Sequence, residues 1–190
     1  MGFGQLGAEG IEGGRALAES LDRRTFEYDV SWRRSEEERL AQAVKYLMTK
    51  KSGPDTLRAY GITADTGTLT ALLSAEQTPV PGQQQRLEQA FRALRRHNVA
   101  PHLTGVLDRK RGARRGTRIE IHPVYQEGVQ PSHRRDLRVR HKNIWRWKPI
   151  VQAWAAQDSL VMEDLWQELI SDMDSDYRSY QYVGHIGICG

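Results

Sequence analysis

The sequence predicts a mainly α protein, an N-terminal helix-turn-helix bundle followed by a small α+β domain. Three observations lead there. Between Ser35 and His97 apolar residues recur three and four positions apart, interrupted by Gly and Pro. From Arg118 onward short stretches alternate polar with apolar residues, the period of a half-buried strand. The two patterns are separated by Arg109 to Arg118, which holds six Lys and Arg in ten residues.

Residues 1–34 read as a Gly-rich arm. Six glycines fall in the first 14 positions, and Gly2 to Gly7 fits G-x-G-x-x-G only by accident, because no strand can precede it. Phe26, Tyr28, Val30 and Trp32 alternate with polar residues, so a short strand or a packed arm fits there. Residues 35–98 read as the helix-turn-helix domain. Ser35 and Glu38 make a capping box, and Leu40, Val44, Leu47 and Met48 line one helix face. Pro54 opens a second helix with Leu57 and Tyr60, and Gly61 ends it. A third helix carries Leu69, Leu72 and Leu73. Pro79 and Pro81 break the chain before a fourth, from about Gln83 to His97, with Leu87, Phe91 and Leu94 on one face.

Residues 99–117 read as a basic linker, and 118–190 as the α+β domain. Arg118 to His122 and Leu137 to Arg140 have strand alternation, joined by a polar connection with Gly128 and Pro131. Pro149 starts a helix with Ile150, Val151 and Trp154. Asp158 or Ser159 caps another, with Met162, Leu165, Trp166, Leu169 and Met173 on its face. Tyr180 to Ile188 alternates again and suits a final strand.

Charge bounds the function. The 190-residue chain has a net charge of only +4, yet residues 86–148 hold seventeen Lys and Arg against five Asp and Glu, while both flanks are acidic. A cationic centre of this kind attracts polyanions, of which nucleic acid is the commonest. One cysteine, Cys189, excludes an intrachain disulfide or a zinc finger and suits a reducing cytosol. No apolar run approaches the length of a membrane span, so a cytoplasmic, nucleoid-associated protein with no membrane partner is expected.

Leu57 to Thr63, followed by Leu69 and Leu72, is a helix-turn-helix candidate, with Thr66, Thr68 and Thr70 on the exposed face of its second helix. Ala64 to Gly67 lengthens the turn, and Asp65 is unfavourable near phosphate. Trp145-Arg146-Trp147-Lys148 interleaves aromatics and cations, which suits either base stacking or a helix anchored by tryptophan before Pro149. The six histidines lie in no metal-ligand spacing. Asp172, Asp174 and Asp176 imitate a calcium loop but lack its glycine and its closing Glu. No metal, cofactor or nucleophile–base pair is evident, so the chain is not read as an enzyme.

In order, these pieces resemble the terminal proteins of linear Streptomyces chromosomes and plasmids. The likeness runs through a helix at Ala41 to Lys51, the helix-turn-helix at Gly53 to Leu73, the break at Thr78 to Pro81 and the Arg-rich helix at Arg86 to Arg96. It continues through the strand at Arg118 to Ile121 and the Arg138-Val139-Arg140-His141 segment, covering most of residues 38–180. The resemblance implies a protein that binds telomeric DNA and primes synthesis through a side-chain hydroxyl, remaining attached to the 5′ end. In that family the acceptor resembles a threonine just before Arg-x-Arg-His. Here Gly128 to Arg135 has only Ser132, with Tyr125 as runner-up.

The DNA contacts expected are Thr66, Thr68, Thr70, Arg109, Lys110, Arg111, Arg114, Arg115, Arg118, Arg134, Arg135, Arg138 and Arg140. Implied partners are DNA, a DNA polymerase, a second telomere-associated protein, or a second copy of the chain. The alternative is a helix-turn-helix repressor of a mobile element or plasmid, dimeric on a palindromic operator.

Overall fold

The computed structural model describes residues 7–26, 35–63, 66–74, 82–109, 116–173 and 178–189. Two compact units divide the chain: Phe26–Val99, and Met1–Thr25 together with Ala100–Gly190.

The first unit is helical. Its α2 (Glu36–Thr49) starts where the sequence places it. The Ser35 hydroxyl accepts from Glu38 N at 3.2 Å, and the Glu38 carboxylate accepts from Ser35 N at 3.0 Å. Both otherwise orphaned amides are satisfied, and three glutamates face the positive helix end. Next comes α3 (Gly53–Ala59), ended by Gly61 at φ +69°. Ile62 N donates to Leu57 O at 2.9 Å and Gly61 N to Arg58 O at 3.0 Å. That paired closure requires a left-handed residue, and glycine adopts the conformation without steric penalty. Then follow α4 (Thr66–Leu73) and the first part of α5 (Gln83–Leu107). Leu40, Val44, Leu47, Leu57, Ile62, Leu69, Leu72, Leu87, Ala90 and Leu94 form the core. All of these except Ile62 and Ala90 lie on helical stripes visible in the sequence.

The second unit is a four-stranded antiparallel sheet with helices. β1 (Ile11–Glu12), β4 (Tyr182–Ile188), β2 (Thr117–Pro123) and β3 (Arg140–Ile144) lie in that spatial order. Ile119, Ile121, Ile144, Val183 and Ile186 are buried, as are the inward residues of α1 (Gly13–Phe26), α6 (Lys148–Ala156) and α7 (Ser159–Ile170). Asp158 caps α7, accepting from Val161 N at 3.0 Å. Polar contacts lock these helices. Gly14 N, at the start of α1, donates to Glu163 of α7 at 2.9 Å, and Trp154 Nε1 of α6 donates to Asp22 of α1 at 2.8 Å. Trp166 Nε1 donates to Tyr180 O at 3.0 Å.

Three expectations need correction. The Gly-rich arm is, over residues 7–26, a strand and a helix of the second unit. Gly13 and Gly14 lie where backbone meets α7, so these glycines serve close packing rather than freedom; Ala16, Leu17 and Leu21 are the buried stripe behind them. Residues 1–6 and 27–34, with Tyr28, Val30 and Trp32, lie outside the described residues, and Phe26 is helical. The linker does not begin at residue 99, because α5 runs through Pro101 to Leu107. Pro101 removes one amide, yet α5 runs on past it, with Leu103 and Leu107 buried in its last turns. The third strand is Arg140–Ile144 rather than Leu137 to Arg140. Leu137 packs on Ala8, Val124 and Val129, whereas β3 pairs Ile144 with Thr117 and Lys142 with Ile119. Its inward position 142 is a lysine, so no apolar alternation marked it.

A methyl group at Gly13 would fall on the Trp166 indole. Gly13→Ala is therefore expected to destabilise the protein by about 1–3 kcal/mol, the usual range for overpacking. Urea unfolding followed by tryptophan fluorescence checks it.

Candidate nucleic-acid and acceptor site

The expected contact residues divide into those the structure gathers and those it uses elsewhere. Arg109 is exposed just beyond α5, and Arg118 is exposed on β2. Lys110, Arg111, Arg114 and Arg115 lie outside the described residues. On α4, Thr68 is half-buried and Thr70 exposed; nothing is described of the Thr66 side chain, and Ala64 and Asp65 of the turn lie outside the described residues. Trp145 is 67% exposed, whereas Trp147 is buried at 0% and caps the start of α6, its amide donating to Asp108 at 2.9 Å. The two tryptophans thus divide between exposure and anchoring.

The β2–β3 connection carries both candidate hydroxyls. Ser132 is exposed in a single 3-10 turn, Pro131–His133. Among the described residues its hydroxyl has no hydrogen-bond partner. Arg134 does not aim at solvent anions from this turn. Its guanidinium donates to Val129 O at 2.9 Å and to Glu127 O at 3.0 Å, bracing the loop. Gln126 adds a second brace, accepting from Arg135 N at 2.8 Å and donating to Arg135 O at 2.9 Å. The Arg135 guanidinium reaches Ser179 at 3.5 Å. Arg138 pairs with Asp136 at 3.1 Å, an exposed pair worth little in water, and Arg140 is exposed on β3.

Tyr125 is set differently. Its backbone exchanges two 2.9 Å hydrogen bonds with Glu9, which fixes it beside the sheet. A Cβ at Gly184 would lie 3.0 Å from the Tyr125 ring, so the ring rests on bare backbone of β4. The residue is still 52% exposed, and its hydroxyl lies 3.3 Å from Nδ1 of His185.

From His185 a chain of ionisable groups crosses the outer face of the sheet. The His122 and His185 rings stack at 3.9 Å with 16° between their planes, because the β2–β4 register sets these residues opposite each other. Nε2 of His122 is 3.8 Å from one Glu120 oxygen, and Nε2 of His141 is 3.3 Å from the other. Burial, then His122 and Arg23, lower the pKa of His185 below the usual imidazole value, favouring its neutral form. Burial, then the Glu120 charge, raise the Cys189 thiol above its usual range, which favours the protonated form over the thiolate. A neutral imidazole against an exposed phenol is a nucleophile–base pair.

Sequence reasoning did not find this pair. Tyr125 and His185 are sixty positions apart, and only strand pairing makes them neighbours. Arg118-Ile119-Glu120-Ile121-His122 alternation did show that Glu120 and His122 share a strand face. Among the described residues, no group of three His, Cys, Asp or Glu is placed to hold a metal ion, and no helix is long and apolar enough to cross a membrane.

The lowered His185 value has a sign. Its unfolded form binds more protons, so the stability linked to this group is complete above the ordinary imidazole value and is lost as pH falls through the native one. NMR titration is expected to show His185 titrating below the usual value of about 6.5. His122→Asn is expected to move its midpoint up.

In comparisons with known proteins the chain matches no family model, no curated protein and no solved structure.

Proposed function

We propose that this chain is a DNA-binding terminal protein of the kind it resembles in layout. It holds the end of a linear replicon and offers a side-chain hydroxyl as the primer for DNA synthesis, which leaves it attached to the 5′ end. One observation carries the reading: the β2–β3 connection presents two exposed hydroxyl residues, Tyr125 and Ser132, within the net-positive stretch of residues 86–148.

The division of labour follows from chemistry. A polymerase's metal pair stabilises the charge that develops on the attacked α-phosphate, so the primer must supply mainly an accessible oxygen at a fixed place. Arg134 and Gln126 hold the connection in shape from within. Arg109, Arg118, Arg135, Arg138 and Arg140, with the cluster between Arg109 and Arg118, supply the field for phosphate. DNA, a DNA polymerase and a second telomere-associated protein are the partners of this reading, and the chain needs no cofactor of its own.

A repressor of a mobile element is the second reading; it uses the same helix-turn-helix candidate, whose α3 closes at Gly61, and needs no acceptor hydroxyl. Footprinting separates the two. A terminal sequence supports the primer; an internal palindrome with half-sites about one DNA turn apart supports the repressor.

Both readings require phosphate contacts. Neutralising the six cations from Arg109 to Arg118 is expected to weaken binding to any DNA and to flatten the log–log salt slope, by roughly 0.9 for each phosphate left without its cation. Fluorescence anisotropy over a salt series measures it, and an unchanged slope would remove these residues from the interface. Incubation with the cognate polymerase, a telomeric template and a labelled deoxynucleoside triphosphate is expected to label the protein. An unlabelled wild type overturns the primer reading.

A further inference from the structure

We infer that Tyr125, rather than Ser132, is the hydroxyl that takes the first nucleotide, with His185 receiving its proton. The inference rests on the primer reading and adds to it a defined reactive site on the outer face of the sheet.

Four observations converge. First, Tyr125 has a base and Ser132 has none. The phenol oxygen is 3.3 Å from His185 Nδ1, while among the described residues the Ser132 hydroxyl has no partner. Second, Tyr125 is held. Paired backbone hydrogen bonds to Glu9 and the ring's seat on Gly184 fix the direction of the hydroxyl, yet half the residue faces solvent. Ser132 sits in one turn of 3-10 helix, exposed on all three residues. Third, Arg134, two residues beyond Ser132, is bonded to the carbonyls of Val129 and Glu127. Fourth, a phenol is a stronger acid than an aliphatic alcohol.

The groups facing His185 set its state. Arg23 of α1 donates to Ile186 O at 2.9 Å and bears on His185 through its charge; His122 of β2 stacks on it; Tyr125 meets its Nδ1. Behind His122 lies Glu120, shared with His141. With the ring neutral and its proton on Nε2, Nδ1 is the acceptor. Burial and the neighbouring His122 and Arg23 disfavour positive charge on His185, which keeps its ring neutral and available as a base. As the proton leaves Tyr125, Glu120 can offset positive charge gathering on the two imidazoles.

The step balances. The Tyr125 oxygen attacks the α-phosphorus of a deoxynucleoside triphosphate held by the polymerase. A phosphorus–oxygen bond to tyrosine forms, the bond to the β-phosphate bridge breaks, and pyrophosphate leaves. The phenolic proton passes to His185 Nδ1 and then to solvent. The nucleotide's free 3′-hydroxyl is left for extension.

The test is labelling of the full-length protein by polymerase, telomeric template and an α-labelled deoxynucleoside triphosphate. Wild type, Ser132→Ala, Tyr125→Phe and His185→Asn are compared. Phenylalanine keeps the ring that rests on Gly184, so a folding defect is not expected, and circular dichroism checks it. Expected are equal labelling in wild type and Ser132→Ala and background labelling in Tyr125→Phe. His185→Asn is expected to label about 100-fold more slowly, as for loss of a general base.

The linkage gives an answer independent of mutation. A nucleotide on a phenol survives mild alkali because the phenolic ester cannot be lost by β-elimination, whereas one on serine is released. Label that persists in Tyr125→Phe, vanishes in Ser132→Ala or leaves in alkali overturns the assignment and keeps the primer reading. No label on any protein, wild type included, overturns both.

Discussion

The pairing of β2 with β4 is the constraint on which the second unit depends. Ile121 stands opposite Ile186 and both are buried, while Ile119, also buried, stands opposite the half-buried Ile188. The same register sets His122 opposite His185 on the other face. Because side chains alternate with period two, a slip by one residue would bury the histidines and expose the isoleucines at once. Core formation and the outer-face array are therefore one choice made twice. The irregularity between His122 and Pro123 brings Val183 opposite Pro123 and lets the chain leave the strand toward Tyr125.

Around that pairing, the unit is closed by segments distant in sequence. β1 extends the sheet beside β4, and α1 follows it immediately, its Gly14 amide meeting Glu163 of α7. Two glycines permit this approach. A side chain at Gly13 would occupy the place of Trp166, whose indole N–H is needed by Tyr180 O. Tyr180 in turn donates to Arg138 O at 2.7 Å, which ties the far end of the β2–β3 connection to the turn that leads into β4. The connection is thus pinned at Tyr125 by Glu9, in its middle by Arg134 and Gln126, and at Arg138 by Tyr180. It is a braced loop, and the bracing decides which of its hydroxyls has a fixed direction.

The charge distribution acts at a different scale. Arginines along the connection are individually committed to carbonyls, to Asp136 or to Ser179, so few of them behave as free phosphate ligands. Donation to neutral carbonyls leaves the guanidinium charge of Arg134 in place, whereas Asp136 offsets that of Arg138. On the proposed reading, long-range attraction of a polyanion belongs to the whole net-positive stretch from 86 to 148.

The helical unit was legible in local patterns. Ser35, Glu38, Pro54 and Gly61 act on neighbours within a few residues, and Leu40 to Leu94 repeat at helical period. β2, β4 and α7 were legible for the same reason: period and cap are local signals. The remaining elements depend on long-range packing. The glycines of the N-terminal segment read as freedom until α7 is packed against them, and β3 was hidden because its inward residue is Lys142, whose ammonium donates to Leu169 O and Asp172. The pairing of Tyr125 with His185 had no local trace at all. The residues between them carry no record of a contact that exists because two antiparallel strands share one register.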